Sequence, residues 1–341
     1  MTDAPARGAG ASAGLWTLAW RRLRADRLAM AALAVLAAFA VLLSLAAAGL
    51  VAADWETEAG VSYAPPSFLG AGGSAPAAAA QVQAPLAENP FDPLQADIAA
   101  IRAQGGAGAA AVAARRASLP FGADKWGHDI VKKTIKGGQT SVVVGLVAAL
   151  LAVGLGTLFG ALAGFYGGVV DDLFNWFYSI FTAIPSILMI LTVAAVLQHK
   201  GVGTIVLILG LTGWTGPFRL MRAEYMKHKV REYVMAADAI GASDWRKMFA
   251  HIFPNVSHVA LVQLSILVVG FIKAEVILSF LGFGVPVGTV SWGSMLNEAQ
   301  TELILGKWWQ LAAAATAMAL LVTAFSLLTD ALRDALDPKL K

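Results

Sequence analysis

Long apolar segments constrain this chain more than any other feature of its sequence. The first runs from Leu28 to about Val51, follows a cluster of four arginines, and is long enough to cross the ~30 Å hydrocarbon core of a bilayer. It is also longer than the core of a signal peptide, so we expect a retained helix. Five further spans are predicted near 140–165, 173–197, 201–217, 256–281 and 308–328. The sequence therefore predicts an all-α membrane protein with six transmembrane helices.

The composition supports a membrane location and narrows the chemistry. Hydrophobic residues make up 58% of the chain and charged residues only 14%, whereas soluble domains are about half apolar and a quarter charged. The net charge of +3 fits basic cytoplasmic loops better than a nucleic-acid surface. The absence of cysteine excludes disulfides, thiolate metal sites and a cysteine nucleophile.

The distribution of basic residues predicts the orientation. With the arginine-flanked N-terminus in the cytoplasm, six spans place both termini, 166–172 and 218–255 inside, and 52–139 and 282–307 outside. The 218–255 loop carries seven Lys and Arg residues against four Asp and Glu residues, which agrees with that orientation.

A change of composition divides the chain into three parts. Residues 1–51 hold the N-terminus and first helix, 52–119 form an external Ala- and Pro-rich insertion, and 120–341 form a core with five helices and the 218–255 loop. We interpret the insertion as a variable surface segment; the alternative is a docking surface for an external partner.

Small residues and one proline predict features of the helix packing. Gly156, Gly160, Gly164 and Gly168 recur every four residues, so they line one helix face where another helix can approach closely. Pro185 removes a backbone hydrogen bond and is expected to kink the third span.

The charged segment 230–253 is predicted to form two short helices. The first, about 231–240, ends at Gly241, which suits the left-handed position after a helix end. Ser243 is expected to cap the second, about 244–253. The sequence therefore predicts a compact helical elbow on the cytoplasmic side.

The residues of this elbow allow two interpretations. The small pair Ala236 and Ala237 leaves room for a partner surface, and Pro254 is expected to open the next segment. An ordinary amphipathic loop at the lipid interface is equally compatible with the same residues.

The spacing within this elbow resembles the EAA loop of ABC importer permeases, which docks onto the ATPase subunit in that family. The matching positions are Ala236, Ala237, Gly241 and Pro254. The positions that depart are Met235, His251 and Phe253, where the motif has Glu, Ile and Leu.

Further segments extend the resemblance over 120–341 and the first span. They are Gly122–Asp129 with His128 in place of Arg, Gly164–Gly168, Leu278–Gly284, Ser291–Leu296 and Leu332–Pro338. Together they are similar to the C-type permease subunit of dipeptide and oligopeptide ABC importers, whereas 52–118 lie outside the resemblance.

The resemblance implies the type I permease fold and a bacterial inner-membrane subunit for di- or oligopeptide uptake. It implies a homologous second permease, two ATPase subunits and an external solute-binding protein as partners. The chain lacks the Gly-x-x-x-x-Gly-Lys-Ser/Thr motif, so we expect no enzyme activity, with ATP and Mg²⁺ on the partner ATPases and no cofactor or metal here. The implied coupling residues are Met235, Ala236, Ala237, Gly241, Ser243, Asp244 and Pro254.

Two charged residues in the fifth span are candidates for lining the translocation path. Lys273 and Glu275 lie two residues apart, so they point in nearly opposite directions and cannot pair with each other. Each needs another partner, and the structural alternative is pairing with neighbouring helices or a position near the outer interface.

Other functions remain alternatives. Related permeases carry nickel, opines or sugars, and substrate choice rests mainly on the binding protein. A secondary transporter would show internal repeats, which we do not find. An intramembrane enzyme would need a nucleophile with a base or a metal cluster, and the five histidines do not form one in the sequence.

Overall fold

The computed structural model describes residues 15–70, 97, 115–197, 201–286 and 288–336. Most of the predicted insertion, and the basic residues Lys339 and Lys341 near the C-terminus, lie outside the described residues.

Helices dominate the part of the chain that is described, and extended strands are absent from it. The helices are α1 Leu15–Ala25, α2 Arg27–Ala47, α3 Ile130–Tyr166, α4 Gly168–Ala183, α5 Ser186–Leu197, α6 Val202–Thr212, α7 Thr215–His228, α8 Glu232–Ala239, α9 Asp244–Phe280, α10 Trp292–Ile304 and α11 Trp309–Leu336.

Four of these helices, α2, α3, α9 and α11, are long and apolar enough to cross a membrane. The pairs α4 with α5 and α6 with α7 also qualify if each is one bent span, which gives up to six spans. The predicted all-α membrane fold is therefore confirmed. A buried apolar cluster built mainly from α3, α6, α9, α10 and α11 holds the bundle together.

Two pairs of consecutive helices are bent at the break between their members. The axes of α4 and α5 differ by 87° around Pro185, and the preceding Ile184 is extended (φ −104°, ψ 133°), as expected of a residue before proline. The predicted kink is thus a complete break. Helix α7 follows α6 after a 40° bend and continues to His228, beyond the predicted end at 217, because Pro217 lies in its first turn, where proline is tolerated.

The glycine face of α3 brings α7 into close contact. A Cβ on Gly156 would lie 2.6 Å from the Trp214 carbonyl oxygen, and one on Gly164 would lie 2.5 Å from the Arg222 carbonyl oxygen. Close helix packing is therefore confirmed for these positions. Gly168 differs, because it follows the end of α3 and has open space around it.

Helix α9 continues through the position where the sequence predicts an end. Its turn Lys247–Ile252 is π-helical, and Pro254 lies in the first turn of the α-helix that follows. In a regular helix a proline ring clashes with the carbonyl four residues earlier. The wider π turn shifts those carbonyls, so Pro254 does not interrupt the helix.

The bundle has two distinct ends. The loop end carries α8, the start of α9 and the end of α11. The cap end carries α10 and an irregular cap, defined as residues 52–69 and 115–129, which is tied together by backbone hydrogen bonds such as Gly60 N to Gly127 O at 3.0 Å. The indole of Trp309 fastens the cap to α11, because its Nε1 donates to Ala123 O at 2.7 Å.

Candidate functional site

At the loop end, α8 and α9 form the predicted elbow. Gly241 has φ +76°, its amide donates to Asp238 O at 2.9 Å, and the Ala242 amide donates to Ala237 O at 3.0 Å. These two bonds close a Schellman motif, which requires the left-handed conformation that glycine adopts without strain. The predicted sharp turn at Gly241 is confirmed.

The start of α9 is fixed by side chains on both sides of that turn. Ser243 Oγ accepts from Arg246 N at 3.4 Å, as predicted for a cap. Lys247 Nζ lies 2.6 Å from Asp238 Oδ1 on α8 and 2.8 Å from Asp244 Oδ1 on α9. One ammonium group therefore joins the two helices of the elbow.

The elbow presents an apolar surface outward. The side chains of Met235, Ile240 and Trp245 are 54%, 85% and 60% exposed, and Ala236 beside them is exposed as well. We call these four residues the docking face. Large apolar side chains held outward on a rigid turn are typical of a protein interface.

The opposite side of the elbow packs into the bundle. Val234, Met248 and Ile252 join Met221 and Tyr225 of α7 in one buried cluster. Ala237 is buried as well. The expectation that both alanines face a partner is therefore corrected: the helical period turns Ala236 outward and Ala237 inward, where its small size serves internal packing.

Polar contacts also fasten the elbow to α7, and α7 to its neighbours α3 and α4. Tyr225 Oη donates to Met248 O at 3.2 Å, and Lys229 Nζ donates to Phe165 O at 2.9 Å. Arg222 donates two hydrogen bonds to Asp171, at the start of α4. These bonds link the elbow to α7 and, through α7, to α3 and α4. These contacts have no signal in the sequence, since the partners are far apart in the chain.

The two charged residues of the fifth span have different surroundings. Glu275 has 0% exposure; Ser141 Oγ donates to its Oε2 at 2.6 Å and Ser279 Oγ to its Oε1 at 2.7 Å. Ser141 in turn accepts from Trp292 N at 3.2 Å. Lys273 is exposed. The predicted opposite directions are confirmed, and the contacts of Glu275 favour the structural alternative of pairing with neighbouring helices.

A second buried charge cluster, which no local sequence pattern indicates, lies at the cap end. Lys133 Nζ contacts Asp124 Oδ2 at 2.7 Å and Glu298 Oε2 at 2.6 Å. Burial alone would raise the pKa of Asp124, but the Lys133 ammonium and the His128 backbone amide hold it below its ordinary value. Glu302 lies fully buried nearby, and neither of its carboxylate oxygens accepts a hydrogen bond from the described residues.

The described charged groups serve as contacts between helices. Across the described ranges, no three His, Cys, Asp or Glu side chains are grouped so that they could hold a metal ion. The loop end offers an exposed apolar face on a rigid support, and the charged clusters tie helices together.

Comparison with known proteins identifies the family. A sequence model described as binding-protein-dependent transport system inner membrane component matches residues 156–341, more than half of the chain. A second, described as the N-terminal TM domain of oligopeptide transport permease C, matches residues 14–66 and so overlaps the first part of the predicted insertion.

Similar proteins carry consistent names. The dipeptide transport system permease protein DppC of Bacillus subtilis is 36% identical over 65% of this chain and 69% of its own length. The oligopeptide transport system permease protein OppC of the same organism is 37% identical over 65% of this chain and 72% of its own length. The OppC of Haemophilus influenzae is 33% identical over 64% of this chain and 70% of its own length. The chain therefore belongs to the family of inner membrane components of binding-protein-dependent transport systems.

Proposed function

We propose that this chain is the permease subunit of an ATP-driven importer of di- or oligopeptides. The names of its relatives support peptides over nickel, opines or sugars. Its partners are a homologous second permease, two ATPase subunits that bind ATP and Mg²⁺, and an external solute-binding protein. The chain itself supplies the path and the coupling surface, and no catalytic group.

The observation that carries this proposal is the exposed docking face on a rigid elbow. Its residues Met235, Ala236, Ile240 and Trp245 receive the ATPase, while Gly241, Ser243 and Asp244 hold the turn that presents them. Ala237 is buried and packs α8 against the bundle. Pro254 lies directly after the π turn, through which α9 continues without interruption.

Coupling follows from the contacts beneath the docking face. When the ATPases close on ATP, they displace the elbow, and the Tyr225–Met248 and Lys229–Phe165 hydrogen bonds carry that displacement to α7 and α3. The 87° break between α4 and α5 is where the spans change their relative angle.

We propose that Glu275 anchors α9 to α3 and α10 rather than lining the path. Both of its oxygens accept hydrogen bonds from serines within the bundle, and the residue is fully buried, so a passing substrate does not reach it in this conformation. Lys273, exposed one helix face away, is the better candidate for a contact with substrate, lipid or a partner subunit.

We further propose that both termini and the loop end lie in the cytoplasm and the cap end lies outside. Because the chain lacks cysteine, single cysteines report orientation cleanly. A membrane-impermeant maleimide should label Ser67→Cys in intact cells and Ala236→Cys only after the membrane is opened. The reverse pattern would invert the topology.

The coupling proposal is tested with two glycines of equal geometry. Gly241 and Gly306 both have φ +76° and open space around the position of a Cβ. Gly241→Leu and Gly306→Leu therefore carry similar backbone strain, of the order of 1 kcal/mol. Only the first adds a side chain next to the docking face.

We expect Gly241→Leu to insert in the membrane, to lose co-purification of the ATPase subunits, and to lose uptake of a radiolabelled dipeptide. Gly306→Leu should keep the ATPase subunits. Unchanged co-purification and uptake in Gly241→Leu would reject the coupling assignment. If the ATPases bind through the elbow but the wild type carries no peptide, only the substrate assignment fails.

A further inference from the structure

An apolar cavity of about 390 Å³ lies between α2, α3 and α11 in the half of the bundle near the cap end. Phe39 and Leu43 of α2 face Ile135 of α3 and Ala317 of α11 across it, and the ring of Trp292 contributes to its wall. No function described above uses this cavity.

The polar groups around the cavity are largely satisfied elsewhere. Thr134 Oγ1 donates to Ile130 O at 2.7 Å within its own helix, and the Thr134 carbonyl accepts from Trp292 Nε1 at 2.9 Å. The cavity therefore presents carbon atoms almost throughout. It offers nothing to a peptide backbone or an ion, which would lose hydrogen bonds on entering.

The depth of the cavity fits within one leaflet of a bilayer. On α11 its lining runs from Ala312 to Leu320, over eight residues. At ~1.5 Å per residue this is about 12 Å, somewhat less than half of the ~30 Å hydrocarbon core. The cavity is therefore deep enough to hold much of an acyl chain from one leaflet.

Aromatic side chains mark the upper end of the cavity as a membrane–water interface. Phe121 lines the cavity and also packs against Phe68 and Trp308, with ring centroids 6.0 and 6.3 Å away. Phe68 and Trp308 are exposed. An exposed tryptophan directly before a spanning helix, as Trp308 is before α11, is typical of the head-group level, so the mouth of the cavity lies where lipid acyl chains begin.

The cavity is open to the side. Val131 near the start of α3 and Leu320 on α11 belong to its lining and are exposed. In a bilayer the surrounding solvent at this depth is hydrocarbon. An empty cavity would leave its lining without dispersion contacts. A hydrocarbon chain that enters from the side restores those contacts and buries no polar group.

We propose that this cavity is a binding site for one acyl chain of a phospholipid from the leaflet on the cap side. The acyl chain completes the packing of α2 against α3 and α11, so lipid helps to hold the first transmembrane helix to the core. The head group rests at the level of Phe68, Phe121 and Trp308.

The test uses the assembled transporter in vesicles of phosphatidylethanolamine and phosphatidylglycerol. A phosphatidylcholine with a photoreactive diazirine in one acyl chain serves as probe, and labelled positions are mapped by peptide mass spectrometry. Label on Ile135 and Ala317 should exceed label on Val41, an exposed residue of α2 at similar depth that lies outside the cavity lining.

Two alanines of α11 provide matched variants. Ala317→Phe fills the cavity and should lower the label on Ile135 several-fold. Ala319→Phe adds the same ring at an exposed position outside the lining and should leave it unchanged. Equal effects of the two variants, or equal label on Ile135 and Val41, would mean bulk lipid contact and overturn the proposal.

A second measurement needs no variant. Probes with the diazirine near the ester should label Val131, and probes with it near the chain end should label Leu320. Loss of this order overturns the proposal. So does an absence of lipid label together with cross-links from the cavity to another subunit, which would assign it to a protein helix.

Discussion

Arg222 and Asp171 form a two-pronged ion pair that joins α7 to the start of α4. Arg222 Nε lies 2.5 Å from Asp171 Oδ1 and Arg222 Nη2 lies 2.6 Å from Oδ2, while Asn175 Nδ2 donates to Oδ1 at 2.8 Å. Parallel hydrogen bonds of this kind fix orientation as well as distance. The pair therefore sets the angle at which α4 leaves the loop end, close to the elbow.

Replacing Arg222 by lysine should weaken this connection without removing the charge, because an ammonium cannot make both bonds in the same geometry. We expect a loss of stability of about 1–3 kcal/mol and reduced uptake per ATP hydrolysed. Thermal unfolding in detergent and coupled uptake and ATPase assays measure the two effects.

The exposed Lys227–Glu224 pair supplies the control for Arg222→Lys. Its atoms lie 3.0 Å apart on the surface of α7, and such pairs contribute about 0–1 kcal/mol. Lys227→Gln should therefore change neither measurement. Equal behaviour of the two variants would show that the Arg222–Asp171 pair has no coupling role.

Trp245 is the largest side chain on the docking face, and its ring centroid lies 4.2 Å from that of Phe249. Trp245→Ala should leave the fold intact because the indole is mostly exposed. Removing a central aromatic anchor typically costs ~2 kcal/mol or more in binding. We expect weaker ATPase association, measured by titrating purified ATPase onto the permease in nanodiscs.

Trp126→Ala is the matched control for Trp245→Ala, since Trp126 is also an exposed tryptophan but lies in the cap. Its removal should not alter ATPase affinity. An unchanged affinity in Trp245→Ala, with the protein folded, would contradict the assignment of the docking face.

The general architecture follows from the sequence because it depends on local rules. Apolar length locates the spans, and the turn at Gly241 and the cap at Ser243 depend on backbone preferences of single residues. The family resemblance adds the interpretation of that elbow. These features need no knowledge of distant contacts.

Features that depend on the neighbours of a residue were not predictable in the same way. Pro254 signals a helix end by itself, and only the π turn before it removes the clash. Ala237 and Ala236 are identical as residues, and the packing of α8 alone decides which is buried. The partners of Glu275 and Lys133 come from helices far away in the chain.

Glu302 should make the cap end sensitive to pH. Burial raises the pKa of its carboxyl from 4.5 to about 7, with Asp124 and Glu298 adding to the effect and Lys133 opposing it. The folded state therefore binds a proton that the unfolded state has already released. The contribution of this proton to the stability of the fold is complete below about pH 4.5 and is lost as pH rises through about 7.

Glu302→Gln removes that titration, so it should raise stability at pH 8 by up to about 3 kcal/mol and have little effect at pH 5. The gain in stability is measured as the difference in unfolding temperature between the variant and the wild type, once at pH 5 and once at pH 8. Glu298→Gln is the contrasting variant: it removes a partner of Lys133 and should destabilise the protein. A gain for Glu302→Gln that does not depend on pH would contradict the assignment.

Glu275→Ala should test whether the buried carboxylate anchors helices. It leaves Ser141 and Ser279 without their acceptor, which costs about 1–3 kcal/mol for each buried hydroxyl that stays unpaired. We expect less folded protein in the membrane but an unchanged substrate preference among the molecules that fold. Lys273→Met, at an exposed position of the same helix, should keep normal abundance. A changed substrate preference in Glu275→Ala would show instead that Glu275 lines the translocation path.

Gly160 and Gly154 of α3 provide the clearest comparison between packing and helix propensity. A Cβ on Gly160 would lie 2.8 Å from both Met221 Cβ and the Phe218 carbonyl oxygen of α7, whereas a Cβ on Gly154 meets nothing within 4 Å. In a helix interior, Ala is intrinsically more favourable than Gly by ~1 kcal/mol. Gly154→Ala should therefore be neutral or stabilising, whereas Gly160→Ala should push α7 away and lower the unfolding temperature. Because α7 supports the elbow through Tyr225, Gly160→Ala should also weaken ATPase association. Equal stability of the two variants would contradict the tight contact between α3 and α7.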